Sequence, residues 1–195
     1  MLPETAAQWH AALNDFPSIL FILALAFDLV GEATKRDSLR ATGFWLLVVG
    51  AAGTILALVS GLIAEESIEH GGSVHLVMER HETLAISVAI LFGVLAAWRI
   101  WRKGNLRPKE RPTYLTISAV GVLAVLWTAH VGGTIVYGYG GGVPTPVLEG
   151  ALAERAAGHA HEPGEEHDDN TAEADSSAQG DDHTDPPGTP EHEHE

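Results

Sequence analysis

The 195-residue chain contains no cysteine. That absence excludes disulfides, thiolate zinc sites, covalently attached c-type haem and Cys-ligated iron–sulfur clusters. Basic residues are missing from one end. Residues 158–195 hold thirteen Asp and Glu, six His and no Lys or Arg, so this tail supplies −13 of the formal charge of −15 and the rest of the chain only −2. An exposed acidic tail repels phosphate, which speaks against nucleic acid as a partner. The first eight residues carry no base and no small-residue cleavage site follows the first apolar run, so that run is expected to stay in place as a helix. There is no Walker motif and no Ser–His–Asp arrangement. His81–Glu82–Thr83–Leu84–Ala85 starts like a His–Glu–x–x–His zinc motif but has Ala85 where the second His belongs.

Long apolar runs are what the chain does have. Four stretches, residues 16–30, 41–64, 83–101 and 114–137, read as membrane spans, since a hydrocarbon core about 30 Å thick takes roughly 20 apolar residues. The second has no charge and no polar face, which a soluble helix would need. The first is short and includes Asp28 and Pro17. It is expected to gain length from residues before Pro17, with Pro17 in a first turn or at a kink. The fold class is thus all-α: a four-helix transmembrane bundle over residues 1–146, a short amphipathic segment over 147–157, and an acidic, His-rich tail from 158 whose composition predicts disorder.

The bases select a side. Lys35, Arg36 and Arg40 lie between spans one and two, and Arg99, Arg102, Lys103, Arg107, Lys109 and Arg111 around the connection between spans three and four. The positive-inside rule puts these loops in the cytoplasm of a bacterial inner membrane, with both termini, residues 65–80 and the tail outside. Within span two, Gly53, Ala57 and Gly61, widened by Gly50 and Ser60, form a smooth stripe expected to serve helix packing alone.

This orientation gathers His10, His70, His75, His81 and His130 at the outer end. His130 sits inside span four, where an ionisable side chain usually has a partner or a task. Two imidazoles facing across a gap between helices are the axial pair of a b-type haem, so His81 and His130, with His10 as a further ligand, are the candidate haem-binding residues. The same cluster suits a divalent ion or a proton relay. Asp28 is expected to pair with Arg40 or Arg99, or to stay protonated. In the tail, His159, His161, His167, His183, His192 and His194 stand mostly beside acids, a composition that captures copper, zinc or nickel loosely. Three functions remain open: a haem b redox subunit, a divalent-metal handler, and a cofactor-free structural or assembly subunit. The bilayer is the expected surrounding of all three, and a redox protein or membrane complex the expected partner.

The segment from His10 through Asn14, Asp15, Phe16, Pro17 and Ile19 resembles the opening of a bacterial four-helix membrane family known only as a domain of unknown function. That family usually has a second His where Asp15 stands. A His opening its third helix is similar to His81. Its last helix ends in a glycine-rich run similar to Gly132–Gly133–Thr134–Ile135–Val136–Tyr137–Gly138–Tyr139–Gly140–Gly141–Gly142–Val143. The resemblance covers roughly residues 8–146. Relatives joined to Rieske or cytochrome c domains imply a redox setting, and the outline is similar to b-type cytochromes at the level of fold.

Overall fold

The computed structural model describes residues 3–68 and 71–158. Four long helices, α1 (Ala6–Thr34), α2 (Asp37–Ser67), α3 (Gly72–Trp101) and α4 (Arg111–Tyr139), are followed by a shorter α5 (Thr145–Ala157). All four long helices are apolar and long enough to cross a membrane. Their 29 to 31 residues correspond to about 45 Å, more than the hydrocarbon thickness, so their ends reach the headgroup region. They therefore outrun the apolar stretches, because polar turns extend a helix that an apolar count stops. Thr5 and Gln8 close a capping box ahead of α1. Pro17 thereby falls in the interior of α1, where it offers no N–H to the carbonyl of Leu13.

The unit Met1–Glu154 holds the bundle, and the chain from Arg155 forms a second unit. Each long helix packs on its two neighbours in a ring, which leaves α1 and α3 facing one another across the diagonal. Apolar side chains fill the middle. Phe21 of α1 stacks on Phe92 of α3 with ring centroids 3.7 Å apart and planes 6° from parallel, and Leu47 and Leu95 are fully buried beside them. Lipid tails are as apolar as leucine, so association depends on close contact. Glycine supplies it: a Cβ on Gly50 would lie 2.8 Å from Phe21 Cε1, and one on Gly121 would lie 2.9 Å from Phe92 Cζ. The outward faces carry Ile19, Trp45, Ile55, Ile90 and Leu123, all exposed, as lipid contact requires.

The basic end of the bundle is closed by a buried polar cluster. Arg99 Nη1 donates to Asp28 Oδ2 at 2.5 Å and to Tyr114 Oη at 3.2 Å, and Tyr114 Oη donates to the same carboxylate oxygen at 3.0 Å. Arg99 Nη2 reaches the carbonyls of Arg40 (3.0 Å) and Gly104 (3.4 Å). Of the two bases expected for Asp28, Arg99 takes the ion pair. A cavity of about 30 Å³ lined by Asp28, Glu32, Arg40, Arg99, Arg111 and Tyr114 adjoins it. In the connection to α4, Glu110 accepts from Arg102 and from the Arg107 N–H at 2.9 Å.

Candidate functional site

At the opposite end two histidines meet across the diagonal. His10 on α1 donates from Nδ1 to the Ala57 carbonyl of α2 at 3.0 Å, with Ser60 Oγ at 3.3 Å. His81 on α3 donates from Nδ1 to the Thr128 carbonyl of α4 at 3.1 Å. A carbonyl oxygen only accepts, so this geometry assigns the neutral-ring proton to Nδ1 and leaves the lone pair on Nε2 in both rings. Each imidazole also rests on a glycine: a Cβ on Gly61 would lie 3.0 Å from His10 Cε1, and one on Gly132 would lie 2.8 Å from His81 Cε1. The two rings stand 6.3 Å apart between centroids, with planes at 81°.

Metal-ligating histidines commonly have their second nitrogen fixed on a carbonyl or carboxylate, which sets the tautomer and aims the ligating one. Both rings here have that anchor. The 6.3 Å between the ring centroids would accommodate one metal atom about 2.0 Å from a nitrogen of each ring. Among the described residues no group of three or more His, Asp or Glu side chains gathers as a metal site. The ligand chemistry present is that of a pair, which would serve a centre needing two protein ligands and falls short of a tetrahedral zinc site.

The other histidines lie elsewhere. His130 is exposed and packs against Trp127 at 5.4 Å. It stands two residues beyond Thr128, about 200° around α4, so His81 meets His10 and not His130. His75 approaches Glu79 at 3.5 Å. Asp15 is exposed. His70, His159, His161, His167, His183, His192 and His194 lie outside the described residues. The stripe on α2, expected to serve packing alone, also forms the seat of His10, since both Ala57 and Gly61 belong to it. Sequence reasoning missed Thr128 and Gly132 as the matching seat of His81. Their four-residue spacing, the same as that of Ala57 and Gly61, was the available signal.

No curated protein and no solved structure matches the chain. Residues 7–145 match the family described as "Predicted membrane protein (DUF2231)", a span that takes in all but the first residue of the four long helices, and both histidine seats. With most of its length inside that match, the chain belongs to the DUF2231 family of predicted membrane proteins.

Proposed function

We propose that this integral membrane protein is a redox subunit carrying a transition-metal centre on the His10–His81 pair, with haem b as that centre. One observation carries the reading: both rings spend Nδ1 on a carbonyl of the neighbouring helix, and neither Nε2 has a hydrogen-bond partner among the described residues. When bound, the iron would supply one-electron chemistry. The protein's own part is to fix two tautomers, seat two rings on glycine, and surround them with apolar helix faces. The basic loops favour an orientation with their end of the bundle in the cytoplasm of a bacterial inner membrane. The histidine pair, both termini and the tail then face outward, where a soluble redox protein or a membrane complex is the fitting partner.

A second reading has a specific feature in its favour. The tail pairs His159 with His161 and His192 with His194, among acids, a composition suited to capturing copper, zinc or nickel outside the cell. In a third, cofactor-free reading the histidines only pack helices. Absorption spectra of the detergent-purified full-length protein, oxidised and reduced, separate the three. A Soret band and a sharp reduced α-band that vanish in His10→Ala and His81→Ala but persist in His130→Ala support haem on this pair. A colourless protein from haem-replete cells overturns it. Metal bound in solution and lost with residues 158–195 would favour the second reading.

A further inference from the structure

The two histidine seats repeat one another in their carbonyl anchor and their glycine contact, and differ at Ser60 beside His10, whose counterpart is Val131. Each Nδ1 anchor spans 47 residues, from His10 to Ala57 and from His81 to Thr128. The Asp28–Arg99 pair spans 71 residues, and the same step carries His10 to His81, Phe21 to Phe92, Gly50 to Gly121 and Gly61 to Gly132. Without a gap, His10–x–x–Leu13 and Ile19–Leu20–Phe21 recur as His81–x–x–Leu84 and Ile90–Leu91–Phe92. Burial follows the same register: Pro17, Phe21, Ala24 and Asp28 on α1 answer Val88, Phe92, Leu95 and Arg99 on α3. On α2, Leu47 and Ala64 answer Ser118 and Ile135 on α4. The steps of four and three along α1 and α3 are those of a helix seam facing one line. The bundle is one helical hairpin used twice, related by a pseudo-two-fold axis running along the helices. On that axis each residue meets its own counterpart: imidazole on imidazole, phenyl on phenyl and, at the basic end, carboxylate on guanidinium.

We propose that the histidine pair is a two-fold site, one carbonyl-anchored, glycine-seated imidazole supplied once by each hairpin, and that it selects a metal centre taking two equivalent trans imidazoles. The site chemistry rests on the metal-centre reading above, whereas the duplicated hairpin does not. An axial pair on porphyrin iron and a linear cuprous ion share this chemistry. Zinc, which takes four ligands in a tetrahedron, does not. The symmetry is kept in the carbonyl anchor and glycine contact of the two imidazoles. It is broken at Asp28 and Arg99, where two like charges on the axis would repel, at their neighbours Gly43 and Tyr114, and at Ser60, whose counterpart is Val131.

The test uses the detergent-purified full-length protein, with haemin and cuprous ion as separate probes. One probe should bind at one per chain, and zinc should bind at least tenfold more weakly to the bundle of a chain whose tail histidines are replaced. His10→Ala and His81→Ala should lose that probe to the same extent, and the double variant should lose no more than either. Gly61→Ala and Gly132→Ala should each weaken binding by about tenfold or more. His81→Met keeps an axial donor, so haem that remains bound with a raised potential reports ligation, where a packing role predicts no change in potential. Binding that survives removal of one histidine, or that depends on Gly61 and not Gly132, overturns the two-fold site. A metal-independent measurement tests the duplication, because the chain has no cysteine of its own. A short bifunctional thiol reagent should join Asn14→Cys to Ala85→Cys, one turn along from the two histidines, and should not join the exposed Asp15→Cys to Ile86→Cys. Cross-linking without binding of either probe overturns the ligand assignment through the metal reading alone. Failure to cross-link in a chain that still binds a probe overturns the hairpin symmetry.

Discussion

Asp28 and Arg99 carry the highest energetic stakes of any two side chains in the bundle, because each is buried and each charge is answered mainly by the other. Removing one partner from a buried pair leaves an uncompensated charge and costs about 3–5 kcal/mol, whereas replacing both with apolar groups of similar volume is often nearly neutral. Arg99→Ala is therefore expected to lower the unfolding midpoint in detergent sharply. Asp28→Leu combined with Arg99→Met should recover much of that loss, and a double variant as unstable as the single one would refute the account. That Asp28 needed a base was legible in the sequence, since a carboxylate inside a span demands one. Which base it takes was not, since Arg40 and Arg99 lie at the same end of the bundle. Tyr114 went unread because a tyrosine at the start of an apolar run looks like an interfacial residue until its hydroxyl is seen on the carboxylate. His130 shows the converse. Its depth in span four was readable, but depth does not tell rotation, and α4 turns His130 to the outside while presenting the Thr128 carbonyl to His81.

At the scale of helices, glycine sets how closely neighbours approach. Phe21 and Phe92 are stacked in a space bounded by Gly50 and Gly121. A methyl group at either position must displace a fully packed ring, at a cost of about 1–3 kcal/mol for overpacking. Gly50→Ala and Gly121→Ala should lower the unfolding midpoint by similar amounts, while Gly93→Ala, whose added carbon would meet nothing within 4 Å, should not. A midpoint unchanged in Gly50→Ala would show that the stacked pair relaxes freely. The connection between α3 and α4 is held differently. The Arg107 N–H, and then Arg102, stabilise the ionised Glu110 carboxylate and hold its pKa below the ordinary range. A carboxylate depressed on folding contributes stability that is present above its ordinary pKa and is lost as pH falls through the folded value. The protection of the Arg107 amide against exchange, measured relative to its intrinsic rate at each pH, should therefore fall as the medium is acidified into that range. Glu110→Gln should remove the pH dependence while leaving the loop looser at neutral pH. The existence of four helices was legible from apolar length alone. Their true ends were not, because the capping box at Thr5 and the polar first turns of α3 lie outside the apolar run.

For the molecule as a whole, the chemistry proposed at the histidine pair depends on which side of the membrane that end faces. Nine of the eleven Lys and Arg residues sit on or beside the two connections at the Asp28–Arg99 end, and the positive-inside rule predicts a cytoplasmic side for such loops. Both histidine seats lie at the other end of the same helices, so a single orientation decides whether the centre exchanges electrons with the outside or the inside of the cell. The absence of cysteine makes the measurement direct. Lys109→Cys should resist a membrane-impermeant thiol reagent in intact cells and react only after permeabilisation. Gly158→Cys, just beyond α5, should react in intact cells, as should Ser73→Cys at the start of α3. The opposite pattern would turn the histidine pair and the acidic tail to the cytoplasm. It would leave the two-fold ligand geometry intact but remove both an external redox partner and metal capture from outside. Labelling of Gly158→Cys and Lys109→Cys on the same side would contradict four spans altogether, since the ends of α4 would then lie on one face of the membrane.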